Sequence, residues 1–351
     1  MSPTSGTTTS VQVAGSPITL TSAALVAPEA LAAFYARMYP ARGEWLARNW
    51  RWHYQVTGAL DPAPLLLVHK DRVIGHAGRI PISVALDRHR YSAAWFVDFA
   101  LLPEVRRMGL GTILTQAWME LSDVHFAFCN EQSMGVFRKL GWGESCETRH
   151  HYMLIRPFEH PKLASHLPRA IRAGLTRAVD AIFRRVYSRG RCGAHILNMI
   201  PLSGRSLEAL REAPPSSGVL RNMEFMDWRL RQSPDFAKYF ECRVDEALAI
   251  VKTVERGPKR YVDVLWMSGR DAPSLQRLLR SLAIWALDRG FSLVRFLTPD
   301  RAWSERLANS LHTVVRRIRF AYSARNRELQ QRLAGVTWGW QGWDSDVEEF
   351  Q

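Results

Sequence analysis

The first half of the chain alternates between short apolar runs and polar turns. Three apolar runs between residues 64 and 102 are separated by turns at 70–72 and 87–90, which predicts an antiparallel three-stranded meander. From Thr112 onward the apolar residues recur at helical spacing, and a short apolar run then predicts a further strand. The chain therefore changes at residues 101–112 from a meander to a strand-helix-strand crossover.

The turn at this junction contains the motif Arg106-x-x-Gly109-x-Gly111. Two glycines let the backbone approach a ligand closely, and the helix that follows presents N–H groups and the positive end of its dipole. A pyrophosphate suits such a site. The same spacing also occurs by chance in a chain rich in arginine and glycine, so an ordinary strand-to-helix turn stays open as an alternative.

A second motif lies downstream, where Asn130 begins a predicted helix that ends in Lys139-Leu-Gly141-Trp142. In their order and separation, the two motifs resemble those of the GCN5-related N-acetyltransferases, the GNAT superfamily. The resemblance implies a mixed α/β fold with a mostly antiparallel sheet flanked by helices. It also implies acetyl-CoA as cosubstrate, and no metal is expected.

The resemblance assigns the contacts with acetyl-CoA. The N–H groups of 107–112 would hold the pyrophosphate, while Leu101 and Asn130 would contact the pantetheine from opposite sides. The family often has a tyrosine at the position of Phe137 as general acid for the leaving thiolate, so this departure argues against a tyrosine acid here. The predicted cofactor-binding residues are Leu101, Arg106, Arg107, Met108, Gly109, Leu110, Gly111, Thr112, Asn130, Phe137 and Lys139.

Three side chains are candidates for the base that deprotonates the attacking amine: Asp98, Glu131 and His76. Asp98 lies in an otherwise apolar strand, where aromatic neighbours would make its carboxylate a stronger base. Asp98 could equally pair with an arginine and lock the sheet. Glu131 could instead favour the dipole of its helix, and His76 could be a hydrogen-bonded strand histidine.

At 351 residues the chain is long for one such domain of about 150 residues, so a second domain is expected. Segment 227–231 is similar to 49–53, and 260–265 is similar to 95–100, which indicates a degraded repeat without the glycine turn. We therefore expect two tandem GNAT-like domains with a single cofactor site. The predicted divisions are a disordered tail 1–16, a catalytic domain 17–158, a basic helical linker 159–192 and a degenerate second domain 193–351.

The linker contains a predicted amphipathic helix at 168–191, which has seven arginines and one acid. It could be a connector packed on its own domains, a helix on an anionic membrane surface or a nucleic-acid contact, although no specific nucleic-acid module is recognisable. No apolar run is long enough to span a membrane, and the start resembles no signal peptide. The four cysteines are too widely spaced for a zinc site, and their use suits a reducing compartment. We therefore expect a cytoplasmic protein. Peripheral contact at the inner membrane face stays open.

Aromatic residues and carboxylates in two segments are candidates for the acceptor side. Trp52, Tyr54, Trp340 and Asp344 could bind a sugar ring or an amino group, or could simply fill a core. Tandem arrangements of this kind are similar to bacterial acetyltransferases of surface-polysaccharide gene clusters, which implies an amino sugar or related glycan precursor as acceptor. The net charge of +14 is compatible with an acceptor that carries phosphate.

Two alternatives remain beside N-acetyl transfer. One is a Fem-type transferase that uses aminoacyl-tRNA, which would explain the doubled domain and the basic charge. The other is a non-catalytic CoA-binding protein, which Phe137 permits. The sequence predicts no oligomeric state.

Overall fold

Two mixed sheets flanked by helices make up the computed structural model of the protein. This architecture confirms the predicted fold class. The structure describes residues 9–13, 16–56, 61, 64–129, 131–145, 148–159, 165–188, 197–203, 217–256, 259–298, 301–311, 313–336 and 338–344.

The first part of the chain supplies most of the first sheet and its covering helices. Its elements in chain order are β1 (Thr9–Val13), β2 (Ser16–Ser22), α1 (Pro28–Met38), α2 (Gly43–His53), β3 (Leu65–His69), β4 (Arg72–Leu86), β5 (His89–Leu101), α3 (Leu110–Met119), β6 (Val124–Cys129), α4 (Glu131–Lys139), β7 (Gly143–Ser145) and β8 (Arg149–Leu154). The predicted meander corresponds to β3, β4 and β5, which pair in antiparallel order.

The second part supplies most of the second sheet. Its elements are α5 (Arg169–Ser188), β9 (Asn198–Pro201), β10 (Gly218–Val219), α6 (Met223–Met226), a π-helical turn (Asp227–Arg231), β11 (Tyr239–Val244), β12 (Ala247–Arg256), β13 (Lys259–Ser268), α7 (Ala272–Asp288), β14 (Leu293–Thr298), α8 (Arg301–Leu311), β15 (Val314–Arg317), β16 (Arg319–Ala324) and α9 (Arg327–Leu333).

The expected disordered tail at 1–16 needs a correction in its described part. Thr9–Val13 forms β1, which pairs in antiparallel register with β2. Threonine and valine favour extended structure, and β2 already offers an edge to the added strand. The predicted tail is thus partly a strand of the first sheet.

Each sheet includes an interior strand from the other part of the chain. The first sheet has the order β1-β2-β3-β4-β5-β6-β16-β7, with β10 also pairing with β4, and the second has the order β15-β8-β14-β13-β12-β11-β9. Strand β16 therefore lies between β6 and β7, while β8 lies between β14 and β15. The sheet pairing crosses the expected domain boundary at residue 158, because β8 precedes that boundary and belongs to the second sheet.

Both exchanged strands are interior strands of their new sheets. In β16, Phe320 and Ala321 point to opposite faces and are both buried, as expected for a central strand. In β8, the adjacent residues His150 and His151 are likewise both buried. Because an interior strand satisfies hydrogen bonds on both sides, neither sheet is complete without the other part of the chain.

We expect that the chain cannot be divided into two independently folding halves. If a protease site is inserted within 160–164, the fragment 1–162 will lack β16 from the interior of its sheet and will aggregate when expressed alone. The two fragments expressed together will associate and co-purify. The uncleaved insertion variant is the control, and a soluble, monomeric fragment 1–162 with a cooperative unfolding transition would contradict the exchange.

Candidate active site: a cleft between diverging strands

The first sheet opens between its two parallel strands. Strands β5 and β6 pair only from Ala93 to Trp95, opposite Val124 to Phe126, and beyond these pairs β6 continues beside β16. Residues 96–101 of β5 and 127–129 of β6 therefore diverge, and we call the space between them the first cleft. A ligand with amide groups could pair there with the backbone edge of β5.

A backbone irregularity at Asp98 coincides with the divergence. The register between β4 and β5 shifts between His76 and Gly78, and Asp98 has a positive φ of 52°. Its carbonyl oxygen accepts hydrogen bonds from Tyr39 Oη at 2.7 Å and from His76 Nδ1 at 2.7 Å. Because a left-handed backbone is unfavourable for a residue other than glycine, these contacts are what hold the bulge in place.

The carboxylate of Asp98 is buried and fully engaged. Its side chain is 2% exposed and forms an ion pair with Arg42. Oδ2 also accepts a hydrogen bond from Tyr54 Oη at 2.6 Å, and His53 Nε2 lies 3.4 Å from the same oxygen. This geometry matches the alternative in which an arginine-paired aspartate locks the sheet.

Arg42 was missed by the sequence analysis, although a paired arginine was expected in general terms. It lies between α1 and α2, and only its burial, with 14% of the side chain exposed, distinguishes it from the many exposed arginines. Nothing in the local sequence marks it, because its partner is on a strand far along the chain.

We call Arg42, His53, Tyr54 and Asp98 the polar cluster. Beside it, the two parts of the chain meet through two tryptophans. Trp52 Nε1 donates to the carbonyl of Trp228 at 2.9 Å, and Trp228 Nε1 donates to the carbonyl of Trp52 at 2.7 Å. The guanidinium of Arg229 lies 5.5 Å from the Trp52 ring and 5.7 Å from the Trp228 ring. The similarity of segments 49–53 and 227–231 therefore corresponds to a contact between α2 and the π-helical turn.

His76 is buried, with both ring nitrogens in hydrogen bonds. Nδ1 donates to the Asp98 carbonyl, and Nε2 accepts from Tyr35 Oη at 3.0 Å. Burial and the nearby Arg42 lower the pKa of His76 to about 3. Burial also holds the pKa of His53 well below its usual range, with Arg229 and Arg42 as lesser causes. Both imidazoles are therefore neutral at physiological pH.

The glycine turn lies at the N-terminus of α3, and Gly109 is the N-cap residue. Gly109 has a φ of 78°, contributes no side-chain cap, and has open space where a Cβ would be. A Cβ at Gly111 would lie 3.4 Å from the Phe99 ring. Because Gly109 has no side chain to cap the helix, the N–H groups of Leu110 and Gly111 can bind an anion, whereas those of Thr112 and Ile113 donate to the Gly109 carbonyl.

Side chains around this turn are mostly exposed. Arg106, Arg107, Met108 and Thr112 are exposed, whereas Leu110 is buried. The Nε of Arg106 donates to the Leu101 carbonyl at 3.1 Å, at the end of β5. The glycine turn and the end of β5 are thus in direct contact.

The second predicted motif is described only in part. Asn130 lies outside the described residues, and of Glu131 only its place at the start of α4 is described. Phe137 is buried, with its ring 5.6 Å from that of Phe96 and 4.3 Å from that of Trp142, whereas Lys139 is exposed. The phenyl group at the position of the family's tyrosine therefore packs in the core.

Cys129 ends β6 at the first cleft. Its thiol is half-buried and free, and burial raises its pKa to about 12. The thiol is therefore protonated at neutral pH, and a protonated thiol is a poor nucleophile.

The second sheet diverges in the same way, but the C-terminal segment 338–344 fills the space. Strands β13 and β14 pair only as far as Val264 and Phe296, and we call the space beyond the second cleft. There Trp343 N–H donates to the Leu265 carbonyl at 3.2 Å, and a Cβ on Gly342 would lie 3.0 Å from the Val264 carbonyl oxygen. A void of only about 10 Å³ remains beside Gly342.

The helix after β13 also begins differently from α3. Asp271 is the N-cap of α7, and its carboxylate accepts from Ser274 N–H at 2.8 Å in a capping box. A carboxylate thus occupies the helix N-terminus that Gly109 leaves open in the first sheet.

Three of the four predicted acceptor residues lie in the interior. Trp340 is 1% exposed and packs against Trp95, with ring centroids 4.7 Å apart. Asp344 is also 1% exposed and forms a bidentate ion pair with Arg221 at 2.8 and 2.6 Å. Tyr54 is buried beneath Asp98, and Trp52 is half-buried. The tryptophans fill a core, as the alternative anticipated, although their segment forms no strand.

Comparisons with known proteins agree with this geometry. Residues 28–142 match the family described as Acetyltransferase (GNAT) family, a range that includes α1 to α4 and the first cleft. This match, over about a third of the chain, supports a GNAT acetyltransferase domain with acyltransferase activity in general. The comparison with curated proteins gave no match.

Three solved structures share the fold. A "Putative Acetyltransferase" from Pyrococcus horikoshii matches with TM-score 0.53 and 12% identity over 88% of this chain and 90% of that chain. A GCN5-related N-acetyltransferase from Kribbella flavida matches with TM-score 0.50 and 13% identity over 88% and 72%. A "Probable N-Acyltransferase" from Enterococcus faecalis V583 matches with TM-score 0.52 and 11% identity over 91% and 73%. At these identities the likeness shows the fold alone.

Within the described residues, none of the helices is long and apolar enough to cross a membrane. The same residues include no cluster of three or more histidine, cysteine or acidic side chains that could hold a metal ion.

We expect Asp98→Asn to lower the free energy of unfolding by about 3–5 kcal/mol, because it leaves Arg42 as a buried charge without its counter-ion. The double variant Asp98→Asn/Arg42→Gln should recover part of this loss. Urea unfolding of the wild type, both single variants and the double variant measures the coupling. Wild-type stability together with lost turnover in Asp98→Asn would instead identify a base.

We also expect stability to fall in mild acid. The pKa of His76 is lowered to about 3 on folding, so the unfolded chain takes up the proton first as the pH drops below about 6.5. The contribution of neutral His76 is complete above that pH and has fallen by about 1.4 kcal/mol at pH 5.5. The pKa values of His125, His150 and His151 are lowered in the same direction, so their losses add.

Urea titrations between pH 7.5 and 5.0 measure this dependence. His76→Gln should reduce the slope of the unfolding free energy against pH. His89 is exposed, so His89→Gln is the matched control that should leave this slope unchanged. A free energy of unfolding that stays constant down to pH 5 would contradict a neutral, buried His76.

Proposed function

We propose that the protein is an acyl-CoA-dependent N-acyltransferase that transfers acetyl from acetyl-CoA to the primary amine of an amino sugar or a related glycan precursor. One observation carries the proposal. The first cleft, between the diverging ends of β5 and β6, leads to a helix N-terminus whose cap residue, Gly109, has no side chain to cap the first N–H groups.

The cofactor would bind along this path. The pantetheine amides would pair with the edge of β5 beyond Trp95, and the pyrophosphate would accept hydrogen bonds from the first turn of α3. Arg106 Nε donates to the Leu101 carbonyl. We infer that this guanidinium leaves the carbonyl for the phosphates when CoA binds, because a charge-assisted hydrogen bond is the stronger one.

One CoA per chain follows from the contrast between the two clefts. In the second cleft Trp343 already donates a backbone hydrogen bond to β13, in the manner expected of a pantetheine amide. The N-terminus of α7 already binds the carboxylate of Asp271. Both contacts that would hold a second cofactor are thus satisfied by the chain itself.

The chemistry is direct transfer from the thioester to the amine. The amine nitrogen attacks the thioester carbonyl, the C–S bond breaks, and the amine loses one proton. The CoA thiolate is a good leaving group, so the reaction does not require the acid that Phe137 cannot supply. Burial keeps the Cys129 thiol protonated and therefore a poor nucleophile, so the acetyl group passes directly to the amine and not through an acyl-cysteine.

We assign Asp98 a positioning role in this reaction. Its carboxylate is bound by Arg42 and Tyr54, and its carbonyl anchors the bulge that turns β5 away from β6. The amine would then lose its proton to water in the open part of the cleft. The pH profile of turnover for the Asp98→Asn/Arg42→Gln variant distinguishes this role from that of a base. If Asp98 were the base, the variant would lose the acidic limb of the profile, whereas a positioning role leaves that limb in place.

The acceptor class is supported by charge and by aromatic faces. The net charge of +14 favours an acceptor that carries phosphate, such as a nucleotide-linked or lipid-linked sugar. Trp45 and Trp52 are half-buried beside the polar cluster, and flat rings of this kind stack on sugars. A turnover screen with acetyl-CoA against amino sugars, amino acids and aminoglycosides tests the choice.

Two substitutions at Gly109 test the cofactor site. Gly109→Val places a β-branched residue at a φ of 78°, which costs about 1–2 kcal/mol or more and distorts the turn, so CoA affinity should fall at least about tenfold. Gly109→Asn is the matched control, because asparagine tolerates this conformation. Calorimetry with acetyl-CoA measures affinity and stoichiometry. No binding to the wild type, or two sites per chain, would contradict the proposal.

A further inference from the structure

Helix α5 is attached to the second sheet's layer along one side only. Phe183 and Tyr187 are buried at this side, and the Tyr187 hydroxyl donates to the Leu311 carbonyl. Asp180 forms an ion pair with Arg156, with Oδ2 and Nη2 2.9 Å apart, and Arg184 pairs with Asp288. These contacts fix the rotation of the helix about its axis.

A different side of the same helix carries large apolar residues that face outward. Ile171, Leu175, Ile182 and Val186 are 54%, 37%, 61% and 40% exposed. At 3.6 residues per turn these four side chains fall within an arc of about 60° around the helix axis. We call them the apolar stripe. The expected apolar face thus divides into a docked part at Phe183 and an exposed part.

Positive charge surrounds the apolar stripe. Helix α5 has five arginines and one acid, Asp180, whose charge Arg156 already balances. Arg172 and Arg185 lie about 40° beyond the two edges of the stripe. The exposed surface is therefore apolar along its centre and cationic along both margins.

We propose that this surface of α5 binds an anionic lipid bilayer, with the helix lying in the plane of the membrane interface. The apolar stripe would enter the boundary between headgroups and acyl chains, and the arginines would contact lipid phosphates. The helix has 20 residues and a charged face, so it suits a position on a membrane rather than across one.

Two other partners fit this surface less well. The phosphates of a nucleic acid would bind the arginines, but they would not bury the four exposed aliphatic side chains. A second copy of this chain could cover the apolar stripe, but the arginines along the margins of both copies would then face each other. A lipid surface satisfies both parts of the pattern.

Vesicle flotation of the full chain tests the proposal. One set of vesicles contains equal parts phosphatidylglycerol and phosphatidylcholine, and the other contains phosphatidylcholine alone. We expect the protein to float with the anionic vesicles at least about tenfold more strongly than with the neutral ones, and to bind more weakly at 0.5 M salt. The measurement does not depend on acetyl-CoA, so it is independent of the proposed activity.

Two pairs of variants separate the apolar and charged contributions. Leu175→Asp/Ile182→Asp should abolish flotation, whereas Leu25→Asp/Val314→Asp changes residues of similar exposure, 52% and 49%, outside the helix and should retain it. Arg172→Gln/Arg185→Gln should weaken binding about tenfold or more, while Arg270→Gln/Arg306→Gln removes the same charge elsewhere and should weaken it less. Thermal unfolding confirms that each variant is folded.

Three outcomes would overturn the proposal. The first is equal flotation of the wild type and Leu175→Asp/Ile182→Asp. The second is no flotation together with concentration-dependent dimerisation that Leu175→Asp/Ile182→Asp abolishes, which would assign the stripe to a second copy. The third is no flotation together with salt-sensitive binding of RNA or DNA that requires Arg172 and Arg185.

Discussion

The reciprocal exchange of β8 and β16 is the constraint on which the rest of this structure depends. Each sheet receives an interior strand from the other part of the chain, and each received strand lies next to the β-strand that forms one wall of a cleft. Strand β16 pairs with β6 from Val124 to Cys129, on the edge away from β5, and so keeps β6 in the sheet where it no longer pairs with β5. The wall of the first cleft that β6 forms is thus supported by a strand from the second part of the chain.

The same topology produces two different outcomes in the two sheets. Asp98 in β5 pairs with Arg42 outside the sheet, whereas Asp263 in β13 pairs with Arg295 on the adjacent strand β14, with Oδ2 and Nη2 2.6 Å apart. The first aspartate stabilises a bulge at the point of divergence, and the second ties two neighbouring strands together. Buried ion pairs often contribute little net stability, and these two fix different parts of the fold: the first holds the bulge in β5, and the second joins β13 to β14.

The C-terminal segment completes this asymmetry. Trp343 donates to the edge of β13 in the second cleft, while Trp340 packs under Trp95 where the first cleft begins. Arg221 and Arg229 hold the segment through the Asp344 carboxylate and the Trp343 carbonyl. One short segment therefore fills the second cleft and supports the base of the first, which limits cofactor binding to a single site in our proposal.

The sequence by itself determined the meander, the crossover and the glycine turn, because strand and helix periodicity and the conformational freedom of Gly109 are local properties. It also predicted a degraded repeat without the glycine turn. Only the tertiary structure decided which sheet β8 and β16 would join, that Arg42 would be the partner of Asp98, and that Trp340 and Asp344 would be buried. These outcomes depend on pairing between residues distant in sequence, and neither a buried arginine nor an interior strand carries a local signal of its partner.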